Sequence, residues 1–157
     1  MLAEEEKIKQ QLAERFGLST EKITIQRERR IWADVPADEF INIFLYAADK
    51  MGFVILTTIT GLDEGPTLGA IYHLARESGI MLNLHASVPK EKPVIKTVSA
   101  RFPAADAYER EMVDLLGMQV EGLPPGNRYP LPDGWPEGQY PLRKDWKGNE
   151  SLKTEVK

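Results

Sequence analysis

Six of the chain's eleven prolines fall between Leu123 and Pro141, in a stretch that also carries Gly126, Gly134 and Gly138. Proline lacks an amide N–H and locks φ, so this stretch is closed to a helix interior and to a central strand. Whatever core the chain builds must be complete upstream of it, which divides the chain into a domain over 1–121 and an extended tail over 122–157. Tyr129, Leu131, Trp135, Tyr140, Leu142 and Trp146 interrupt the prolines, and apolar side chains of that size are costly to leave in water. Tyr, Trp and Arg are the side chains that dominate interfaces, and proline stiffness lowers the entropy lost when an extended segment docks. The tail therefore reads as a surface for a partner, in preference to a segment that packs only on its own domain.

A chain of 157 residues has room for one domain with a hydrophobic core and not for two. Apolar residues at 42% and charged residues at 28% fit a folded globular protein and exclude a wholly disordered one. Apolar runs such as Phe53 to Leu56 fall far short of the roughly 20 residues of a membrane-spanning helix. The start, Met1-Leu2-Ala3-Glu4-Glu5-Glu6, lacks the basic beginning and apolar stretch of a secretory signal, which predicts residence in the cytoplasm. With no cysteine, the chain has no thiolate for an iron–sulfur cluster, a zinc site or a covalent nucleophile. A net charge of −4, with no Lys/Arg cluster interleaved with aromatics, argues against nucleic acid as a partner.

Upstream of the tail the pattern is α+β. Ile8, Leu12 and Phe16 recur at helical spacing over Glu4 to Phe16, with Gly17 as a stop. Lys22 to Gln26 and Ile31 to Val35 read as two short strands or a hairpin. Pro36-Ala37-Asp38-Glu39 offers a helix start, with carboxylates where the helix dipole favours them; Phe40, Ile43, Phe44 and Ala47 form its apolar stripe, and Met51-Gly52 ends it. Three strand candidates follow, Phe53 to Thr60, Thr67 to Ala75 and Ile80 to Val88, separated by turns too short for a parallel crossover. The expected architecture is a mostly antiparallel sheet with helices packed on one face and an extended Pro-rich tail. Asp63 and Glu64 read as turn residues.

The segment from Tyr108 to Gly117 reads as a third helix, with Asp106 and Glu109 spaced like a capping pair and Gly117 as its stop. Its charges, Glu109, Arg110, Glu111 and Asp114, have three readings: a solvated face, a buried or interfacial ion-pair network, or acid/base groups. Glu109 and Glu111 are two apart and point in different directions on a helix, and no His, Cys or phosphate loop lies near them in sequence. The network is the favoured reading, because the planar fork of Arg110 grips carboxylates in bidentate fashion; in the tail, Arg143, Lys144 and Asp145 are the nearest charges for such a network. His73 and His85 lie on successive strand candidates, where a tight hairpin would set them roughly opposite each other. Two imidazoles make half a metal site, and no third ligand has supporting spacing.

Several segments, in order, carry a family resemblance: Ala104-Ala105-Asp106-Ala107-Tyr108-Glu109-Arg110-Glu111, Asp114-Leu115-Leu116-Gly117-Met118, Val120-Glu121-Gly122, Leu131-Pro132-Asp133-Gly134-Trp135, and Pro141-Leu142-Arg143-Lys144-Asp145-Trp146. Together they resemble the 30 kDa subunit of NADH-quinone oxidoreductase (respiratory complex I) and its counterparts in membrane-bound, energy-converting nickel–iron hydrogenases and formate hydrogenlyase. The likeness is strongest over Val98 to Trp146; upstream, Ile71-Tyr72-His73-Leu74 resembles the family's tyrosine-containing strand. After Glu121-Gly122 the respiratory members usually continue with histidine and proline, then an arginine-containing stretch. Here the chain reads Leu123-Pro124-Pro125-Gly126-Asn127-Arg128-Tyr129, a pattern more like the hydrogenase branch.

The resemblance implies a non-catalytic subunit of the hydrophilic arm, without a cofactor of its own. Iron–sulfur clusters, and nickel–iron or flavin, would belong to partner subunits. Its tail would wrap a large hydrogenase-like or quinone-site subunit, next to a small iron–sulfur subunit. It would sit at the cytoplasmic face of the membrane, held there only through those partners. The candidate docking residues are Glu109, Arg110, Glu111, Asp114, Arg128, Trp135, Arg143, Lys144, Asp145 and Trp146. The competing reading is a free-standing cytoplasmic binding module that uses the same tail on another partner.

Overall fold

The computed structural model describes residues 2–148. Three helices and a five-stranded sheet account for most of the residues up to Glu121. Helix α1, Ala3–Phe16, ends where Gly17 turns into the left-handed region at φ 62°, a conformation glycine reaches without a Cβ penalty. Strands β1, Ile23–Arg27, and β2, Arg30–Asp34, pair antiparallel as a hairpin. Helix α2, Phe40–Lys50, starts one residue after the acidic pair expected in its first turn. Asp38 and Glu39 lie before it, where Glu39 N–H donates to Pro36 O, because the turn that follows Pro36 uses those residues first.

Strands β3, Ile55–Asp63, β4, Thr67–Ala75, and β5, Met81–Pro89, form an antiparallel meander. The sheet order is β1-β2-β5-β4-β3, and β2 joins β5 in parallel, so one of its four pairings departs from the antiparallel pattern. Two short strands that the sequence pattern did not announce, β6, Val94–Lys96, and β7, Gln119–Glu121, pair in parallel around the third helix. That helix, α3, spans Ala105–Leu116 and ends on Gly117 at φ 72°. Its N-cap is Ala104, with no side-chain cap. Asp106 lies inside the helix, with its carboxylate turned to Arg110, and Glu109 is buried, so the expected capping pair does not form.

Register explains which face carries the helices. Ile59, Tyr72, Leu84, Ala33 and Ile23 are successive neighbours across the five strands, and all five are buried. Tyr72 meets Phe40 at 4.5 Å and Phe44 at 5.6 Å between ring centroids, which seats α2 on this row. Each such aromatic taken from water contributes about 1.5–3 kcal/mol. Gly61, beside Ala70 on the same face, leaves room for α3: a Cβ there would stand 2.6 Å from Leu116 Cδ1 and 2.8 Å from Met112 Cγ. Helix α1 lies along β1 and β2 with Ile8 and Leu12 buried. The sheet's opposite face, with Trp32, Asp34, Thr60, Ile71, His73 and His85, carries no helix of the chain among the described residues.

From Gly122 to Gly148 the described chain forms neither helix nor strand. The remainder of the tail, 149–157, lies outside the described residues.

Candidate docking surface

The extended segment is laid over α3 and the β3–β4 turn and held by two buried aspartates used in the same way. Asp114, on α3, accepts Arg128 Nε at 2.7 Å and the Leu131 amide at 2.8 Å. Asp63, at the end of β3, accepts Lys90 Nζ at 2.7 Å and the Lys144 amide at 2.8 Å. Each carboxylate thus takes one cation and one tail N–H, and hydrogen bonds to a charged acceptor are the stronger kind. Asp63 also accepts the Gly65 amide at 2.8 Å, the turn role expected of it. Burial pushes the Asp63 carboxyl up, yet the donations of Lys90, Gly65 and Lys144 outweigh it and hold its pKa at about 2.

Between these anchors the tail uses the open C-terminus of α3. Leu142 N–H donates to Leu115 O at 3.0 Å, and Arg143 Nε donates to Leu116 O at 2.6 Å, satisfying carbonyls that a helix end leaves unpaired. The Arg143 guanidinium lies 4.7 Å from the centre of the Tyr140 ring. Tyr140 packs so tightly on Gly117 that a Cβ there would fall 2.5 Å from the ring. Trp135 and Trp146 stand 6.1 Å apart and both donate to Gln139, Trp135 to its carbonyl at 2.8 Å and Trp146 to its side-chain oxygen at 3.0 Å.

The charges of α3 go to different places. Arg110 grips Asp106 through Nε at 2.6 Å and Nη2 at 2.9 Å and also donates to Pro124 O. The partners of Arg110 are thus on its own helix and on the first residues of the tail, not Arg143, Lys144 or Asp145. Glu109 is fully buried: it accepts Thr97 Oγ1 at 2.5 Å, the Val98 amide at 2.9 Å and Tyr72 OH at 3.4 Å. Burial raises its pKa, with those three donors opposing the rise. Sealed under α3, it is placed to tie the helix to the sheet, whereas a reacting carboxylate must reach its substrate. Glu111 is half-buried. In the tail, Arg128 also donates to Trp135 O at 2.8 Å, and Asp145, largely exposed, lies 3.4 Å from Lys90.

Asp63, Lys90 and Gln139 take part in holding the tail, a place that the sequence pattern did not announce for them. Asp63 was legible as a turn residue only, because its second partner lies 81 positions away.

The two histidines sit on the open face of the sheet and are not opposite each other: His85 pairs with Ile71, and His73 with Asn83. His85 bridges two carboxylates, Nδ1 to Asp34 at 2.7 Å and Nε2 to Glu64 at 2.6 Å, while His73 lies between Thr60 and Asn83. Their ring nitrogens already have partners, and among the described residues no group of three or more His, Cys, Asp or Glu is placed to hold a metal ion. None of the described helices is long and apolar enough to cross a membrane.

Residues 33–151 match the sequence profile of the family described as respiratory-chain NADH dehydrogenase, 30 kDa subunit. The chain belongs to this family. Among its relatives, membrane-bound hydrogenase subunit beta of Pyrococcus furiosus is 31% identical over 123 residues, covering 76% of this chain and 71% of that protein. A subunit of the F(420)H(2) dehydrogenase of Methanosarcina mazei is 31% identical over 140 residues, 87% of this chain and 88% of that one. A chain of the membrane-bound sulfane sulfur reductase, an archaeal respiratory membrane complex, superposes with a TM-score of 0.82 at 28% identity, covering 96% of this chain and 90% of that one. A trypsin-resistant fragment of Nqo5 superposes with a TM-score of 0.66 at 25% identity, over 78% of this chain and 99% of the fragment. This 30 kDa subunit family member is thus homologous to subunits of respiratory and hydrogenase membrane complexes, as its sequence motifs implied.

Proposed function

We propose that this 30 kDa subunit family member is a non-catalytic subunit in the hydrophilic arm of a membrane-associated, ion-translocating oxidoreductase. It docks, through α3 and the tail, onto a large hydrogenase-like or quinone-site subunit, next to a small iron–sulfur subunit. The observation that carries the reading is the tail itself: an aromatic, proline-rich segment held on α3 by Asp63 and Asp114, with Tyr129 and Leu142 about half exposed. A segment fixed in place before docking loses less entropy on binding. Arg110, Asp114, Arg128 and Arg143 hold that surface in shape; Glu111, Lys144, Asp145 and the tryptophans stand at or near its outside. The redox groups, iron–sulfur clusters with nickel–iron or flavin, belong to the partners, and the partners hold the chain at the cytoplasmic face of the membrane. The Leu123–Tyr129 segment favours the hydrogenase branch.

The test is mild detergent extraction of native membranes, capture of the tagged full-length chain, and identification of its companions with metal analysis. Nickel recovered with a large hydrogenase-type subunit is the expected result. A nickel-free assembly that reduces quinone or sulfane sulfur would keep the subunit role and move the chain to another branch. A chain recovered alone would overturn the reading.

A further inference from the structure

We infer that the cavity between α3 and the tail is an anchor pocket for one apolar side chain, aromatic or branched aliphatic, of the large partner subunit. The inference rests on the docking role proposed above and adds where the contact is centred and what chemistry fills it. The cavity measures about 400 Å3 and is lined by Val113 of α3 and by Leu123, Tyr129 and Tyr140 of the tail, together with the charged Arg110, Arg128 and Glu137.

Two observations set the occupant. First, the charges of the lining are either matched or in water: Arg110 is held by Asp106 and Arg128 by Asp114 at 2.6 and 2.7 Å, while Glu137, the remaining ionic side chain, is exposed. An ionic group entering would compete with pairs already formed, whereas an uncharged one leaves them intact, so complementarity favours an apolar guest. Second, apolar side chains stand open around it. Val113 is 37% exposed and Tyr129 50%. The apolar surface thus continues past the rim, which suits a protein surface carrying one inserted side chain and not a small molecule that ends at the cavity mouth. A central apolar anchor in a pocket, ringed by weaker contacts, is the usual energetic plan of a protein interface.

The wall is assembled from two parts of the chain. Arg110 reaches across to Pro124 O and so fixes the near end of the tail. Gly126 lies against that guanidinium so closely that a Cβ would stand 2.7 Å from Arg110 Cζ. Tyr140 closes the far side against Gly117. The pocket therefore exists only while the tail lies on α3.

The test places a charge in the pocket within the native complex. Val113→Glu puts a carboxylate on an exposed helix position, and Tyr129→Ser removes a wall from the tail. Leu45→Glu, at a comparably exposed position on α2 (36%), is the control. Each variant is expressed as the full chain, checked for an unchanged melting temperature and tryptic pattern, and captured from membranes. Recovery of the large subunit is expected to fall about tenfold or more with the first two and to stay at the wild-type level with Leu45→Glu. Should Val113→Glu change the tryptic pattern of the chain itself, Tyr129→Ser decides. Wild-type recovery with the pocket variants, or an equal loss with Leu45→Glu, overturns the pocket while leaving the docking role standing. Failure of the wild-type chain to recover any large subunit overturns the docking role, and the pocket with it.

Discussion

Asp63 Oδ2 lies 2.8 Å from the Lys144 amide, a contact across 81 positions that ties the last described stretch of the tail to the end of β3. The same oxygen holds Lys90 at 2.7 Å, so the Asp63 carboxylate, 1% exposed in its side chain, is a junction of the β3–β4 turn, the start of the β5–β6 connection and the tail. Asp63→Ala leaves the Lys144 and Gly65 amides without that acceptor. It should cost about 2–3 kcal/mol and speed tryptic cleavage around Arg143 and Lys144, with the domain still folded. An unchanged cleavage rate would show that Leu142 and Arg143 hold the tail unaided.

The same carboxylate sets an acid limit. Its folded pKa of about 2 lies below the ordinary Asp value of 3.8, so its contribution is fully present above that ordinary value and is lost as pH falls towards and through 2. In wild type, the Lys144 amide resonance should titrate with a midpoint near 2. In Asp63→Asn it should show no such step, and protection of the Lys144 amide above the ordinary Asp range should be weaker than in wild type, because a neutral amide oxygen is a weaker acceptor than a carboxylate. A wild-type midpoint near 4 would mean that the three donors do not act together on this carboxyl.

Glu109 has the opposite sign. Its pKa is raised in the fold, so the folded state holds a proton that the unfolded chain has already released, and stability falls as pH rises from the ordinary Glu value through the raised one. Glu109→Gln should remove that fall. Its amide oxygen can still accept from Val98 and Tyr72, and Thr97, already hydrogen-bonded to Ser99 at 2.8 Å, can accept from the amide. Glu109→Ala, which strands those donors in the core, should cost about 2–4 kcal/mol. Melting curves of the three proteins between pH 4 and pH 8 separate these outcomes; the pH values here span roughly the carboxylate range and its buried extension.

The helices were legible from their period and the central strands from the turn residues between them. Thr67–Ala75 is set off by the turn residues Asp63-Glu64-Gly65-Pro66 and Ser78-Gly79, and its limits are those of β4, while Gly17 and Gly117 end α1 and α3 where the helical periodicity fails. The parallel joining of β2 to β5 was not legible, since a strand's own pattern does not name its neighbour. Nor were β6 and β7, each of three residues, too short to show alternation. The tail's aromatics pointed to an interface, but its anchors were hidden. Asp63 and Asp114 look like any turn or helix-surface carboxylate in sequence, and burial by a segment far along the chain is what makes them different. Arg110 gave a clear signal of a bidentate grip while leaving its partner open, and the partner proved to be Asp106, four residues away.

Gly117 joins the two halves of the site. It ends α3 at φ 72°, and its missing side chain is the space in which the Tyr140 ring lies. Gly117→Ala brings two costs: a left-handed conformation for a residue with a Cβ, about 1 kcal/mol, and a clash with Tyr140 that the ring relieves only by leaving α3. Double substitution with Tyr140→Ala should recover the second cost and not the first. The expected result in a thermal double-mutant cycle is a coupling of about 1–2 kcal/mol between the two positions. Gly117→Ala alone should also expose Arg143 to trypsin, because the tyrosine and the arginine stacked on it move together. Strict additivity of the two substitutions would show that Tyr140 does not rest on the helix end, and that the tail is held by its aspartates alone.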